Sequence, residues 1–440
     1  MMKANPRIWA SLTLLGCAAL VVSCGGDVAQ PEAGVAQTGG DGGAPSYVYD
    51  PGWPKPLPNN WKMGGVTGLT VDSNDDVWVY NRPNDLTAIE LHAEVGLADC
   101  CVRPPSMIHI DKNGDVIGSF DAPQGHGMEV DADGFLYLGQ DTVRKYDPNT
   151  GEVVGEIART PEREGGARVG LIPWPPEREP GEGGRGPVVG FIPGGPGPDP
   201  AAQMARAKAA MAFRAKYPPE TPMVVGGLEE IRIDEAANEI YLADNYLGGR
   251  ILVFDKDTFE FKRGWGAYGK PLSEISINDA DHAYTPGGAM PADFAGHLTF
   301  NFSNDGLVYA ADRNANRIHV TDKMGNYQGK EFILAPQTGV GGSTGGVAFS
   351  PDPEQRYLFI SDLTNNHIWF LDRQTGEVVG QLGSMGESGG QFFGLHMISV
   401  DRMGNIYTGE VFAGERVQRF VPTSSPRGQL LQQLVSVPLQ

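Results

Sequence analysis

"HGMEVDADGFLYLGQD", residues 126–141, reads as a strand, a tight polar turn and a second strand. Met128 and Val130 alternate with polar neighbours, "DADG" supplies turn residues, and residues 135–138 form a second apolar run. The same unit recurs as "TGLTVDSNDDVWVYNR" (67–82), "EEIRIDEAANEIYLADN" (229–245), "HLTFNFSNDGLVYAADR" (297–313), "GGVAFSPDPEQRYLFISD" (345–362) and "HMISVDRMGNIYTGE" (396–410). Most units continue into a third strand, such as "RILVFD" (250–255), "RIHVTD" (317–322), "HIWFLD" (367–372) or "RVQRF" (416–420). A fourth often follows, as in "EVVGEI" (152–157) and "EVVGQL" (377–382). Four short antiparallel strands, repeated, predict an all-β, six-bladed β-propeller, because a lone blade cannot cover both of its faces and a ring of blades can. Either "SYVYD" (46–50) or the tail from 422 onward can supply the strand that closes the ring.

The composition agrees. The 61 Gly and 34 Pro among 440 residues suit many short strands joined by turns. Residues 1–23 read as an export signal: Lys3 and Arg7 precede the apolar stretch "IWASLTLLGCAALVV", which ends in "LVVSCGG". That ending resembles a bacterial lipobox, with Cys24 as the lipidated first residue, residues 24–45 as a flexible tether and the propeller over 46–425. The expected location is therefore outside the cytoplasm, on a lipid anchor in a bacterial membrane. The formal charge of −20 becomes about −22 once Lys3 and Arg7 leave with the signal, and it argues against nucleic acid as a partner. A monomer acting on a small-molecule or peptide substrate is the expected form. Cys100 and Cys101 are adjacent, and the two readings are a vicinal disulfide or a pair of thiols.

Spacing between equivalent aromatic positions (Trp78, Tyr137, Tyr241, Tyr309, Phe359, Tyr407) exposes two excursions. Residues 160–222 are rich in Pro, Gly and Arg, repeat "VGLIP" as "VGFIP", and end in an Ala-rich stretch (201–217) expected to be helical. They read as a surface excursion or as a lid over one face. A smaller one covers 266–295, and residues 426–440 read as a C-terminal tail.

Aligning the units on their first strand places His126, His297 and His396 at the start of the second, fourth and sixth blades. The other three blades carry Thr67, Glu229 and Gly345 there. First strands line a propeller's channel, and alternate blades of six lie about 120° apart, so three imidazoles can converge at one mouth. Three neutral imidazoles with an open fourth position make a catalytic type of zinc site. His92, His109, His282, His319 and His367 do not share the position and read as structural or exposed.

The repeats resemble NHL repeats, and the histidine placement resembles the six-bladed lyase domain of the peptidylglycine α-amidating enzymes, the peptidyl-α-hydroxyglycine α-amidating lyases. The resemblance covers roughly residues 60–421 apart from the excursions. It implies zinc on His126, His297 and His396, and cleavage of an α-hydroxyglycine N–C bond to a peptide amide and glyoxylate. "ADNYLGGRILVFD" (243–255) is similar to the segment bearing the family's catalytic tyrosine, which implies that role for Tyr246. "VWVYNRPND" (77–85) and "ADRNANRIHV" (311–320) imply active-site arginines at Arg82 and Arg313. A structural alternative for Arg313 is an ion pair with Asp312. The acidic residue that serves the family's structural calcium is Met397 here, which argues against calcium; Gly394 and Leu247 also depart from the family pattern, and no copper monooxygenase domain accompanies the repeats. Two further classes fit the same fold: a non-catalytic propeller binding a ligand or protein at the cell surface, and a metal-dependent lactonase.

Overall fold

The computed structural model describes residues 43–161, 167–168, 172–173, 179–183, 200–245, 248–339, 341–411 and 414–435. The signal, Cys24 and nearly all of the tether lie outside the described residues. Six four-stranded antiparallel sheets form the blades of a propeller. The first four-stranded unit runs β2 (Gly65–Val71), β3 (Val77–Arg82), β4 (Met107–Ile110) and β5 (Val116–Phe120). The innermost strands of the other blades are β6 (Met128–Val130), β12 (Leu228–Asp234), β16 (Leu298–Phe302), β20 (Val347–Phe349) and β24 (Leu395–Val400). Each inner strand touches the next, and β24 returns to β2, so the ring is closed.

Closure uses the N-terminal candidate. β1 (Tyr47–Tyr49) pairs with β26 (Val417–Pro422), matching Val48 with Val421. The C-terminal segment instead forms α2 (Pro426–Val435), which lays Leu431 on Val48 and Val421. Arg419 and Arg427 both reach the buried Asp50 carboxylate, at 2.7 and 2.6 Å, and tie helix and closing strand together.

Packing between blades explains the aromatic repeat. Trp78, Tyr137, Tyr241, Tyr309, Phe359 and Tyr407 are all buried. Several meet a ring from an adjoining element edge-on: Tyr241 with Phe302 at 4.7 Å, Tyr309 with Phe349 at 5.2 Å, and Tyr407 with Trp53 at 4.8 Å. Truncating such a side chain to alanine costs about 3–5 kcal/mol, so these rings are a main reason the sheets stack.

The start of each first strand lies at the same end as the end of the second strand and the connections between blades. That end carries the elaborations. Of the 160–222 excursion, the described parts include the short pair β10 (Ala167–Arg168) with β11 (Ile172–Pro173), and α1 (Pro200–Lys216), where the sequence predicts a helix. Phe213 of α1 packs on Val225, and Arg214 pairs with Asp279 of the second excursion. Gly181 N donates to Glu94 Oε2 at 2.7 Å, in the 83–106 connection. The excursion is thus docked on neighbouring connections at the histidine end. Among the described residues, no helix is long and apolar enough to cross a membrane.

Candidate metal centre

Each histidine is held by backbone bonds at the mouth of the channel. His126 N donates to Gly139 O at 2.7 Å, at the end of its own blade's second strand. The carbonyl before it, on Gly125, accepts from Thr67 Oγ1 at 2.8 Å and Arg82 Nε at 3.0 Å, both in the first blade. Ahead of His297, the Ala295 and Gly296 amides donate to the buried Asp312 carboxylate, and His297 O accepts from Arg313 N at 3.0 Å. Ahead of His396, Gly394 N donates to Asn366 Oδ1 and Phe393 N to Glu410 Oε2, each at 2.7 Å.

His297 has φ of +58°, in the left-handed region. For a residue with a Cβ this costs about 1–2 kcal/mol, and such strain persists where surrounding bonds over-determine the backbone. Nearby glycines also have positive φ: Gly127 after His126, Gly296 before His297 and Gly394 ahead of His396. The fourth blade therefore accepts strain to present an imidazole.

The structure brings His126 and His396 into direct contact. Their Nε2 atoms are 3.3 Å apart and their rings meet near-perpendicular, with centroids 4.8 Å apart. The intervening first blade carries the small Thr67, which leaves room for this approach. His297 joins through Glu229, the occupant of the equivalent place in the third blade. Its Nδ1 lies 2.5 Å from Glu229 Oε1, while the Glu229 carbonyl accepts from His126 Nδ1 at 2.8 Å. Among the described residues, the three histidines do not present three nitrogens all within 4.8 Å of one another; the side chains that meet this criterion are Asp72, Asp76 and His109. That group sits at the opposite strand ends, where Asp72 already accepts from the Asn74 and Asp76 amides and His109 stacks on Trp78.

Burial first, with the Arg82 and Arg313 guanidiniums, keeps His126 and His396 neutral. Burial pushes His126 down to about 3; Glu229 opposes this, and Arg82 and Arg313 add to it. His396 falls well below its ordinary value, through burial first, then His126 and the two guanidiniums. Burial alone would raise Glu229, but His297, His126 and Arg313 outweigh it and hold the carboxyl at about 2.

Neutrality makes the hydrogen bonds diagnostic. The Glu229 carbonyl can only accept, so His126 Nδ1 carries the proton and its Nε2 offers a lone pair. A second lone pair cannot face it at 3.3 Å without a proton or a cation between them. The spacing fits a cation: two ligands at 2.0–2.1 Å on a tetrahedral zinc are about 3.3–3.4 Å apart. The donor set therefore fits zinc on His126 and His396, with His297 as the third imidazole at the same mouth.

The sequence-predicted arginines flank this pair. Arg82 ends β3, and Arg313 follows β17 (Leu307–Asp312) in the equivalent connection of the fourth blade. The Asp312 carboxylate goes to Arg317, at 3.0 Å from Nε and 2.9 Å from Nη2, so an Asp312–Arg313 ion pair is not what the fold uses. Tyr246 lies outside the described residues. The Cys100 and Cys101 sulfurs stand together as a vicinal pair in the 83–106 connection. Sequence reasoning missed Glu229 and Asn245, which donates to Glu229 Oε2 at 2.7 Å. The available signal was positional: Glu229 stands where alternate blades carry histidine.

No family model matches the chain, and neither does any curated protein. Solved structures with a similar fold include a Bacteroides thetaiotaomicron structural genomics protein of unknown function (TM-score 0.46, 13% identity, covering 82% of this chain and 70% of that one). A catalytically inactive virginiamycin B lyase from Staphylococcus aureus with quinupristin has TM-score 0.41 and 11% identity, over 85% of this chain and 88% of that one. Hydrazine synthase from Kuenenia stuttgartiensis has TM-score 0.43 and 13% identity, over 84% and 82%. These likenesses concern chain architecture and not chemistry; what the chain itself presents is a six-bladed β-propeller with a histidine-lined mouth.

Proposed function

We propose that the protein is an exported, metal-dependent lyase-like propeller with zinc at the histidine mouth, acting on a small-molecule or peptide substrate of the α-hydroxyglycine type. The observation that carries this reading is the 3.3 Å approach of the His126 and His396 Nε2 atoms beside the Glu229-held His297. Zinc, when bound, supplies a Lewis acid that makes a substrate hydroxyl easier to deprotonate. Arg82 and Arg313 bind the substrate carboxylate and orient the scissile N–C bond, since a guanidinium pairs with a carboxylate through two parallel hydrogen bonds. Tyr246 takes the hydroxyl proton, the electrons of the N–C bond pass to nitrogen, and protonation there releases the amide and glyoxylate. Export, lipidation at Cys24, and closure of the Cys100–Cys101 disulfide in an oxidising compartment belong to the same reading.

The test is glyoxylate release from an N-acyl-peptidyl-α-hydroxyglycine by the zinc-loaded full chain, with lactones in parallel. Cleavage that falls at least about 100-fold in Arg82→Ala and Arg313→Ala variants supports the reading, a loss of the size expected for two charge-assisted contacts. A zinc-loaded protein that hydrolyses lactones instead, or turns over neither, contradicts it; in the last case a non-catalytic binding propeller takes its place.

A further inference from the structure

We infer that Glu229 is the positioning residue of the mouth, a single residue of the third blade that sets the tautomers of histidines on both flanking blades. The inference rests on the metal reading above and adds to it how the ligand atoms are selected. Glu229 is 1% exposed, and its acceptor atoms are spoken for one by one. The backbone carbonyl takes His126 Nδ1 at 2.8 Å. Carboxylate Oε1 takes His297 Nδ1 at 2.5 Å. Carboxylate Oε2 takes Asn245 Nδ2 at 2.7 Å and Leu298 N at 2.5 Å. An ionised carboxylate only accepts, as a carbonyl does, so both Nδ1 atoms are protonated and in the neutral imidazoles the lone pairs fall on Nε2.

The arrangement needs both an acid and this site in the ring. The third blade lies between the blades of His126 and His297, so its first-strand residue touches both. Histidine at 229 would offer no acceptor pair for Asn245 and Leu298. Glutamine has the right shape but the wrong donors. With its oxygen on His297, its amide NH2 faces two N–H donors; turned round, it forces His297 to protonate Nε2 and withdraw it as a ligand. Partners that hold the far nitrogen of a ligating histidine are worth 10- to 100-fold in metal affinity.

The experiment titrates the metal-free full chain with Co2+ alone and, separately, reads histidine tautomers by 15N NMR without metal. Wild type is expected to bind Co2+ and to show Nδ1–H at both His126 and His297. Glu229→Gln is expected to bind Co2+ about 10- to 100-fold more weakly. Its His297 signals should change while His126, held by a backbone carbonyl, keeps its tautomer. Asn245→Ala, which leaves the carboxylate in place, should show the same change more weakly. Equal Co2+ affinity in wild type and Glu229→Gln, or Nε2–H at His297 in wild type, overturns the assignment. A wild-type chain that takes up no Co2+ yet shows both Nδ1–H tautomers overturns the metal reading and leaves the positioning by Glu229 standing.

Discussion

The two ends of the first strands solve opposite problems. At the turn end, aspartates fold their own neighbourhood. Asp72 accepts from the Asn74 and Asp76 amides, Asp131 from Asp133 and Phe135, and Asp401 from Met403 and Asn405. At the mouth, His126 and His297 both bond to Glu229 of another blade. His126 relies on Glu229, which is 103 residues away, and meets His396 across 270. Local bonds form whenever the turn forms; the mouth exists only when the ring has closed. Polar groups at the turns thus specify blades, whereas those at the mouth depend on the whole assembly.

At the mouth end lies a buried anchor, and removing it should have the largest effect on stability. Asp312 holds the Ala295 and Gly296 amides and the fully buried Arg317. Asp312→Ala removes the nearest carboxylate of that guanidinium, leaving Glu331 Oε2 at 3.8 Å, and should cost about 3–5 kcal/mol by denaturant unfolding. A loss below about 1 kcal/mol would mean that the approach to His297 is held by something else.

The second effect is in the pH dependence of the metal-free protein. His126 and His396 stay neutral in the folded state but protonate below about 6.5 when unfolded. Folding stability from these groups is therefore present above pH 6.5 and is lost as pH falls toward the folded values. From pH 7 to 5 the loss is about 2 kcal/mol for His126, and His396 shifts stability in the same direction. Glu230 and Glu415, both raised to about 7 chiefly by burial, act in the reverse direction over the same interval. The informative quantity is accordingly the difference between variant and wild type. His126→Ala should remove about 2 kcal/mol of the pH 7 to 5 change, while His109→Ala at the turn end should leave its mouth component intact. An identical pH profile for His126→Ala would show that the imidazole is not held neutral.

The smallest effect belongs to the turns. Asp401→Ala removes the acceptor for two amides, the Asn405 side chain and the buried Tyr407 hydroxyl, and should cost about 1–3 kcal/mol. A loss as large as that at Asp312 would erase the contrast between local and assembled ends.

What was legible in the sequence follows the same division. The repeats showed the blades because alternation and Asp-Gly turns are local; Arg250–Asp255, Arg317–Asp322 and His367–Asp372 form strands over the spans read from their apolar pattern. Which end of the chain closes the ring was not legible, since "SYVYD" and the C-terminal tail both carry residues able to pair; the structure pairs β1 with β26 and adds the Arg419 and Arg427 bonds to Asp50. The histidine register could be read from the alignment of first strands. The place of Glu229 in that register could be read too, but not its role, which is set by the blades on either side of it; the pairing of Asp312 with Arg317 rather than Arg313 depends on where the strand ends. The connections also hid their partners: nothing in the sequence links Arg214 with Asp279 or Gly181 with Glu94.

The account depends on one physical event, a metal ion drawing three imidazoles from alternate blades to one point. X-ray absorption on the zinc-loaded full chain, wild type beside His297→Ala, addresses it directly. The account predicts three imidazole nitrogens at about 2.0–2.1 Å in the wild type and fewer in the variant. An unloaded wild type, or a spectrum unchanged by His297→Ala, would contradict it.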